Sequence, residues 1–177
     1  MNTLKNIVLI SIDDLRFDCI TYEKDKRWLE RYCAHALVNT PVLDSVGKKG
    51  VLFTQCISTS SYTPSPHASM LTGVYPTRHG VKTFFSQLSS SVVTLAEVLR
   101  VKGWKTSAWT EHLTFKMQKI TRGIETVVEP LADEKANLFA FIDGLRPEHN
   151  FVFIHVFDVH KPYLYTTGGS ERFQYNG

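Results

Sequence analysis

The sequence has few cysteines, a small net charge and no long apolar run, and each shortage excludes a class of protein. Its three cysteines, Cys19, Cys33 and Cys56, follow no metal-type spacing, and their odd number argues against a disulfide framework. The net charge is only +3 and the basic residues are scattered, so we predict no nucleic-acid or membrane partner. The first apolar run, residues 6–12, is too short for a signal peptide or a membrane span. We therefore predict a protein of the reducing cytoplasm.

Apolar residues make up 43% of the 177 positions and aromatic residues 12%, which is enough for one domain with a substantial core. Residues 7–12 and 151–157 are apolar almost without a break, as is typical of strands buried on both faces of a sheet. Thr94 and Glu97 form a capping-box pattern for a helix that ends near Gly103. The other patterns predict helices over 40–50, from near Pro66 and over 133–145, and strands over 51–57, 105–109 and 127–128. Because strands and helices alternate, we predict an α/β fold with a mainly parallel sheet.

Residues 62–80 concentrate hydroxyl side chains, prolines and histidines ahead of a short apolar run. Prolines restrict the backbone, and a hydroxyl becomes a nucleophile when a base or a metal activates it. The first turn of a following helix offers unpaired N–H groups to an anion. On composition alone, a surface loop rich in serine, threonine and proline is the preferred interpretation.

Polar side chains follow several predicted strands at the point where each strand ends. In open α/β sheets, ligands bind at the carboxyl ends of the strands. Two adjacent carboxylates repel each other unless a cation or hydrogen bonds compensate, and oxygen ligands suit calcium, magnesium or manganese. A metal site and a capping loop therefore both remain open at this stage. The polar sets are Asp13 with Asp14, Thr63 with His67, Glu111 with His112, and Asp158 with His160.

Several segments, in order, resemble the N-terminal part of the sulfatases, members of the alkaline phosphatase superfamily. The resemblance implies an alkaline-phosphatase/sulfatase-like α/β/α sandwich around a mainly parallel mixed sheet. It also implies that residues 1–177 are the N-terminal portion of the catalytic domain, with the C-terminal part absent. The matching segments are NIVLISIDDLR (6–16), TPVLD (40–44), GVLFTQ (50–55), the segment 62–80 with its LTGVYPTRHG ending, LAEVLRVKGWKT (95–106) and HVFDVHKPY (155–163).

The resemblance implies metal ligands and a nucleophile. Asp13 and Asp14 match the first two metal ligands of the family, and Thr63 stands where the nucleophile opens the pattern that closes on Leu-Thr-Gly. Threonine is not a formylglycine precursor, so no formylglycine is expected. His67 stands where sulfatases carry arginine and where related phosphodiesterases and nucleotide pyrophosphatases carry histidine. Both departures favour phosphate mono- or diesters over sulfate esters, and the implied substrate is a small anionic ester.

The implied mechanism is a two-step displacement at phosphorus or sulfur. A divalent metal held by Asp13, Asp14 and Thr63 activates the Thr63 hydroxyl, which attacks and forms a covalent ester. Calcium or manganese is the expected ion, with magnesium and zinc as alternatives. His67 stabilises charge on the equatorial oxygens, another histidine protonates the leaving group, and water then releases the acid.

Other histidines receive roles by the same comparison. His160, within Asp-x-His-x-Pro-Tyr, is expected to contact the anionic group or the leaving oxygen. His112 is a substrate-binding candidate, although Thr110 replaces the lysine of the family's Lys-x-His. Asp158 is expected to orient its neighbours, and His79 to hold the turn behind the nucleophile. The histidines without a predicted role are His35, His149 and His155.

The sequence contains no Asp-His or Asp-Asn dipeptide of the kind that completes the family's metal site. We therefore predict weak metal binding, little turnover by this chain alone, and association through an unfinished sheet edge. The alternative function is a catalytically inactive sulfatase-fold binding module or an inactive fragment. A nucleotide-binding α/β domain is disfavoured because residues 11–17 contain no glycine.

Overall fold

The computed structural model describes residues 6–17, 20, 40–112, 114–130, 137–145 and 147–160. The chain divides into two compact units, a larger one of residues 1–13 and 58–177 and a smaller one of residues 14–57. Each unit is described by itself. Within the described ranges, no helix has both the length and the apolar character that crossing a membrane requires.

A four-stranded sheet forms the centre of the larger unit. Its strands are β1 (Asn6–Ile12), β2 (Lys105–Thr110), β3 (Thr126–Val128) and β4 (Asn150–Val156), in the spatial order β1-β4-β2-β3. All three strand pairs are parallel. The first six residues of β4 are buried, as its continuous apolar run predicts. These observations confirm the predicted α/β class with a parallel sheet.

The strand register brings the carboxyl ends of β1, β4 and β2 to one edge of the sheet. The hydrogen-bond ladder continues one residue beyond the strands at this edge. The N–H of Asp13 donates to the carbonyl of Val156 at 3.0 Å, and the N–H of Glu111 donates to the carbonyl of His155 at 3.3 Å. The polar residues that follow β1 and β2 are thereby held by backbone bonds to β4.

Helices pack on both faces of the sheet. On one face a core cluster includes Phe151, Phe153 and Phe115; on the other, Trp109 lies 5.8 Å from Phe141, ring centroid to ring centroid. This arrangement agrees with an α/β/α sandwich. The helices of the larger unit are α2 (Pro64–Thr72), α3 (Pro76–His79), α4 (Leu95–Val101), α5 (Thr114–Met117) and α6 (Asn137–Asp143).

Local sequence signals predicted the starts of two helices, α4 and α2. The capping box of α4 is present, with Glu97 N–H donating to Thr94 Oγ1 at 3.1 Å and Thr94 N–H donating to Glu97 Oε2 at 2.8 Å. The helix predicted to begin near Pro66 is present as α2 and begins at Pro64. A proline is favoured at the first helical position, where the missing N–H would have no partner, and the earlier of the two prolines occupies that position.

The prediction that β1 is buried on both faces is wrong. Val8 is 55% and Ile10 60% exposed. Among the described strands, β1 pairs only with β4, so it lies at an edge of the sheet. The apolar residues of α6 pack against the cluster that contains Val152 and Ile154 of β4. Val8 and Ile10 are the register partners of these two residues on β1, but they remain exposed.

The smaller unit contains α1 (Pro41–Lys49), which confirms the helix predicted over 40–50. Thr40 Oγ1 donates to Asp44 Oδ1 at 2.9 Å at its start. The strand predicted over 51–57 is wrong: these residues form loop and turn, and no described strand pairs with them. Apolar side chains there did not decide the conformation, since a strand needs a partner for its backbone groups. Of the helix predicted over 133–145, residues 133–136 lie outside the described residues and the rest contains α6.

We expect Gly123→Ala to destabilise the protein more than Gly103→Ala does. Both glycines have positive φ, at 87° and 81°, so either alanine costs about 1–2 kcal/mol in backbone strain. A Cβ on Gly123 would also lie 2.5 Å from Cγ and 2.6 Å from N of Glu97, whereas no atom of the described residues lies within 4 Å of a Cβ on Gly103. The clash should raise the cost at Gly123 to roughly 2–5 kcal/mol. Equal losses of unfolding free energy in urea titrations would contradict this account.

Candidate active site

Thr63 and Asp13 meet at the carboxyl edge of the sheet. Thr63 Oγ1 lies 3.3 Å from Oδ1 and 3.4 Å from Oδ2 of Asp13. Asp13 is 8% exposed and is held by its backbone bond to β4, whereas Thr63 is half-buried. The structure thus brings the predicted nucleophile and a predicted metal ligand together, although they are 50 residues apart in the sequence.

Thr63 occupies the N-cap position of α2 but does not cap the helix. Its φ of −39° and ψ of −50° are helical, and its side chain makes no capping hydrogen bond. A threonine at this position ordinarily accepts a hydrogen bond from the first turn. Here the hydroxyl faces the Asp13 carboxylate and does not take part in capping the helix.

His67 lies one helical turn after Thr63, and its ring is buried. Nδ1 is 2.6 Å from the carbonyl oxygen of Thr63, and Nε2 is 2.7 Å from Oγ of Ser11 on β1. Burial lowers the pKa of His67 below its usual value, although the hydrogen bond to Thr63 opposes the shift. Both ring nitrogens therefore contact protein atoms, and the role of His67 as a donor to substrate oxygens stays a prediction.

His155 lies at the centre of the site, although the sequence analysis gave it no role. Its side chain is fully buried, and neither ring nitrogen has a hydrogen-bond partner among the described residues. Its ring centroid is 4.8 Å from that of His67 and 6.0 Å from that of His112. Burial is the main cause that lowers the pKa of His155 to about 3, and the charge that His67, His112 and His160 would carry when protonated lowers it further. This histidine is neutral at ordinary pH.

His112 presents one ring nitrogen as a donor. The backbone N–H of Thr114, which can only donate, lies 3.3 Å from His112 Nδ1, and the Thr114 hydroxyl lies 2.7 Å from the same atom. Nδ1 is therefore an acceptor, and in the neutral ring Nε2 carries the proton. The ring stacks on Phe115 at 4.6 Å and 11°. Burial lowers the pKa of His112, and the negative charge of Asp13 opposes that shift.

His160 joins the group through an aromatic contact. Its ring centroid lies 4.4 Å from that of Phe157, which in turn lies 5.5 Å from that of His112. The N–H of Phe157 donates to Glu111 Oε2 at 2.9 Å, so Glu111 ties the end of β2 to the segment that follows β4. His160 N–H donates to the Phe157 carbonyl at 2.8 Å, which forms a tight turn.

His79 has the structural role predicted for it. The side chain is fully buried, and its Nδ1 accepts from the N–H of Val81 at 3.1 Å. Nε2 therefore carries the proton in the neutral ring and lies 3.0 Å from Oγ of Ser69 on α2. The turn that follows α2 is thus bonded back to the helix that begins at Thr63.

The oxygen atoms of Asp13 and Thr63 are of the type that a hard divalent cation prefers as ligands. Two oxygen ligands about 2.4 Å from one cation and at right angles lie about 3.4 Å apart, close to the observed 3.3 and 3.4 Å. A direct O–H···O hydrogen bond is usually shorter, about 2.7 Å. Within the described part of the chain, no group of three or more histidine, cysteine, aspartate or glutamate residues is arranged to hold a metal. Asp13 and Thr63 are therefore part of a possible ligand set.

Asp14, the second predicted metal ligand, belongs to the smaller unit. It is exposed and has a φ of 58°, which aspartate tolerates better than most residues.

The structure groups Asp13, Thr63, His67 and His112, and His160 contacts this group through the ring of Phe157. The residues that sequence reasoning missed are Ser11 and His155. A histidine in the middle of a continuous apolar strand was the signal that could have identified the latter.

Comparisons with known proteins agree on the fold. A family model described as Sulfatase matches residues 5–168. The ulvan-active sulfatase of Formosa agariphila is 32% identical over 107 residues, which are 60% of this chain and 19% of that protein. The phosphonate monoester hydrolase of Agrobacterium radiobacter superposes with a TM-score of 0.67 at 17% identity, over 89% of this chain and 42% of that chain. A protein in the alkaline phosphatase superfamily from Vibrio parahaemolyticus gives 0.65 at 21% identity, over 97% and 44%.

The parallel sheet, with a hydroxyl and a buried carboxylate at its carboxyl edge, has the fold of the alkaline phosphatase superfamily. Within that class, the chain belongs to the sulfatase family, because the family model covers nearly all of it. The chain spans about a fifth of the length of its curated relative and less than half of each superposed structure.

We expect His155→Leu to remove part of the stability loss that the protein suffers in acid. A histidine in an unfolded chain titrates near pH 6.5, whereas the pKa of folded His155 is about 3. Between these values the unfolded state binds a proton that the folded state does not, so stability falls as the pH drops, by up to about 1.4 kcal/mol per unit. Between pH 7.5 and pH 5 the variant should lose about 2 kcal/mol less than the wild type in urea titrations.

Phe153→Leu serves as the control, because it changes packing on the same strand without removing a titratable group. It should lower stability by the same amount at both pH values. An acid loss in His155→Leu as large as that of the wild type would show that His155 is not the group responsible.

Proposed function

We propose that this chain carries the nucleophile of a hydrolase of sulfate or phosphate esters, and that the nucleophile is Thr63. The observation that carries the proposal is the placement of Thr63 Oγ1 beside the buried Asp13 carboxylate, free of any capping hydrogen bond. Family membership supports the reaction class. The activity of a longer protein containing this chain is part of the same proposal.

Each of these residues has a separate role in a two-step displacement. The Asp13 carboxylate, 3.3 Å from Thr63 Oγ1, takes the hydroxyl proton as Oγ1 attacks in line and the bond to the leaving alkoxide breaks. His160 donates a proton to the leaving oxygen, and Nε2–H of His112 donates to an anionic oxygen of the substrate. Water then cleaves the threonyl ester and releases the acid.

A divalent cation, calcium or manganese, completes the proposed site. Asp13 and Thr63 would supply its ligands in the larger unit. When bound, such an ion lowers the pKa of a hydroxyl and offsets negative charge on the ester. The buried histidines around Asp13 are neutral, so they add no cationic charge that would compete with the ion.

Phosphorus esters are the proposed substrate class. Thr63 reacts through its hydroxyl and needs no conversion to an aldehyde hydrate, the form that sulfatases of the family use. One of the superposed structures is named as a phosphonate monoester hydrolase, whereas the curated relative is named as a sulfatase. The threonine decides our preference for phosphate mono- or diesters.

We expect an activated aryl phosphate diester to modify Thr63 covalently in the presence of manganese. The Oγ1–P bond forms as the P–O(aryl) bond breaks, so nitrophenolate release should match a mass increase in the peptide that contains Thr63. Thr63→Ala should abolish both signals, whereas Thr59→Ala, an exposed neighbour in the same loop, should retain them. The matching aryl sulfate should react more slowly.

Three outcomes would contradict this assignment in different ways. Faster reaction of the sulfate would overturn the phosphorus preference. Modification of Ser61 or Ser65 in place of Thr63 would move the nucleophile. Binding of the ester without modification would favour the inactive binding module.

We expect manganese and calcium to stabilise the wild-type chain, and Asp13→Asn to remove this effect. At ten times its dissociation constant, an ion that binds only the folded state adds about 1.4 kcal/mol. Thermal melts with and without each ion measure the shift. Asp158→Asn, which neutralises an exposed carboxylate after β4, should keep it. A shift that persists in Asp13→Asn would exclude Asp13 as a ligand.

A further inference from the structure

The carbonyl group of Thr63 is held mainly by a side chain. The backbone N–H of His67, its ordinary helical partner, is 3.5 Å from this oxygen, which is long for a hydrogen bond. The Nδ1 atom of the same residue is only 2.6 Å away. The imidazole ring therefore replaces the stretched helical hydrogen bond at the start of α2.

The partners of the His67 ring determine its tautomer. A carbonyl oxygen can only accept, so Nδ1 donates to Thr63 and carries the proton. In a neutral ring Nε2 is then an acceptor, and the hydroxyl of Ser11, 2.7 Å away, donates to it. Without that hydroxyl, Nε2 would be a buried acceptor that has lost its partner, which costs free energy.

Ser11 lies near the end of β1 and Asp13 is the first residue after that strand, and both side chains contact residues at the start of α2. Thr63 and His67 are one turn apart on α2, so they lie on one face of the helix. Two bridges consequently join the same two elements: Asp13 to Thr63, and Ser11 to His67.

The ring between these bridges has little room to move. His67 is 4% exposed. Its centroid lies 4.9 Å from that of Phe115 and 4.8 Å from that of His155, with Phe153 at 6.0 Å. A ring confined in this way transmits a displacement at one nitrogen to the other.

We propose that Ser11 is a positioning residue: its hydroxyl anchors His67, and through His67 it holds the Thr63 backbone so that the Thr63 hydroxyl faces Asp13. The catalytic consequence rests on the proposed role of Thr63 as nucleophile. The physical link between Ser11 and Thr63 does not, so the two can fail separately.

The test is nuclear magnetic resonance of the full chain, with 15N-labelled histidine and 13C-labelled threonine methyl groups. In the wild type, Nδ1 of His67 should show the protonated resonance and Nε2 that of a hydrogen-bonded acceptor. Ser11→Ala should shift the Nε2 resonance to higher frequency, as expected for loss of the hydrogen bond, and should also shift the Thr63 methyl resonance. Ser11→Thr, which keeps a hydroxyl on the strand, should restore both.

Ser107→Ala removes a serine from β2 and serves as the matched control, with neither resonance expected to move. An unchanged Nε2 resonance in Ser11→Ala would overturn the proposal. So would a shifted Nε2 resonance with an unchanged Thr63 methyl, because the anchor would then not reach the nucleophile. If Thr63→Ala keeps its reaction with aryl esters while the two shifts occur, the nucleophile assignment fails and the Ser11 link stands.

Discussion

The parallel pairing of β4 between β1 and β2 is the constraint on which the rest of the larger unit depends. This pairing extends beyond the strands, because the N–H groups of Asp13 and Glu111 bond to the β4 carbonyls of Val156 and His155. Segments far apart in the chain thereby end at one edge with their polar residues aligned. In a parallel sheet the carboxyl ends of all strands lie at the same edge, which is where ligands bind in open α/β folds.

Burial sets the electrostatic character of this site. His67, His112 and His155 are removed from water, and burial is the main reason why their pKa values are lowered. Neutral imidazoles can serve as donors or acceptors of fixed direction without repelling each other. The phenylalanine ring of Phe115, in contact with all three, supplies much of the apolar surroundings. The carboxylate of Asp13 thus lies near neutral rings, and a cation beside it would meet no opposing charge from them.

Local patterns predicted much of the fold. The capping box at Thr94, the apolar run of β4 and the helix after Pro41 all appear as expected, because each depends on neighbours in the sequence. The strand over 51–57 failed, and so did the two-sided burial of β1, because both depend on what lies beside the strand. Of the candidate site, the hydroxyl and carboxylate were predicted from the family resemblance. Ser11 and His155 were missed: a histidine within an apolar strand could have drawn attention to His155, but the sequence does not show which residues either side chain contacts.

The sequence by itself determined the class of fold and the family, and it supplied the candidate reactive groups, because apolar periodicity and motif order are properties of the chain alone. Only the tertiary structure decided that the Thr63 side chain faces Asp13 and does not cap its helix, and that both ring nitrogens of His67 contact Thr63 and Ser11. It also decided that His155 is buried with no hydrogen-bond partner in the part of the chain that the structure describes. The reason is physical. A hydrogen bond between residues 50 or more positions apart exists only when packing has already brought their elements together, and no local pattern records that distance.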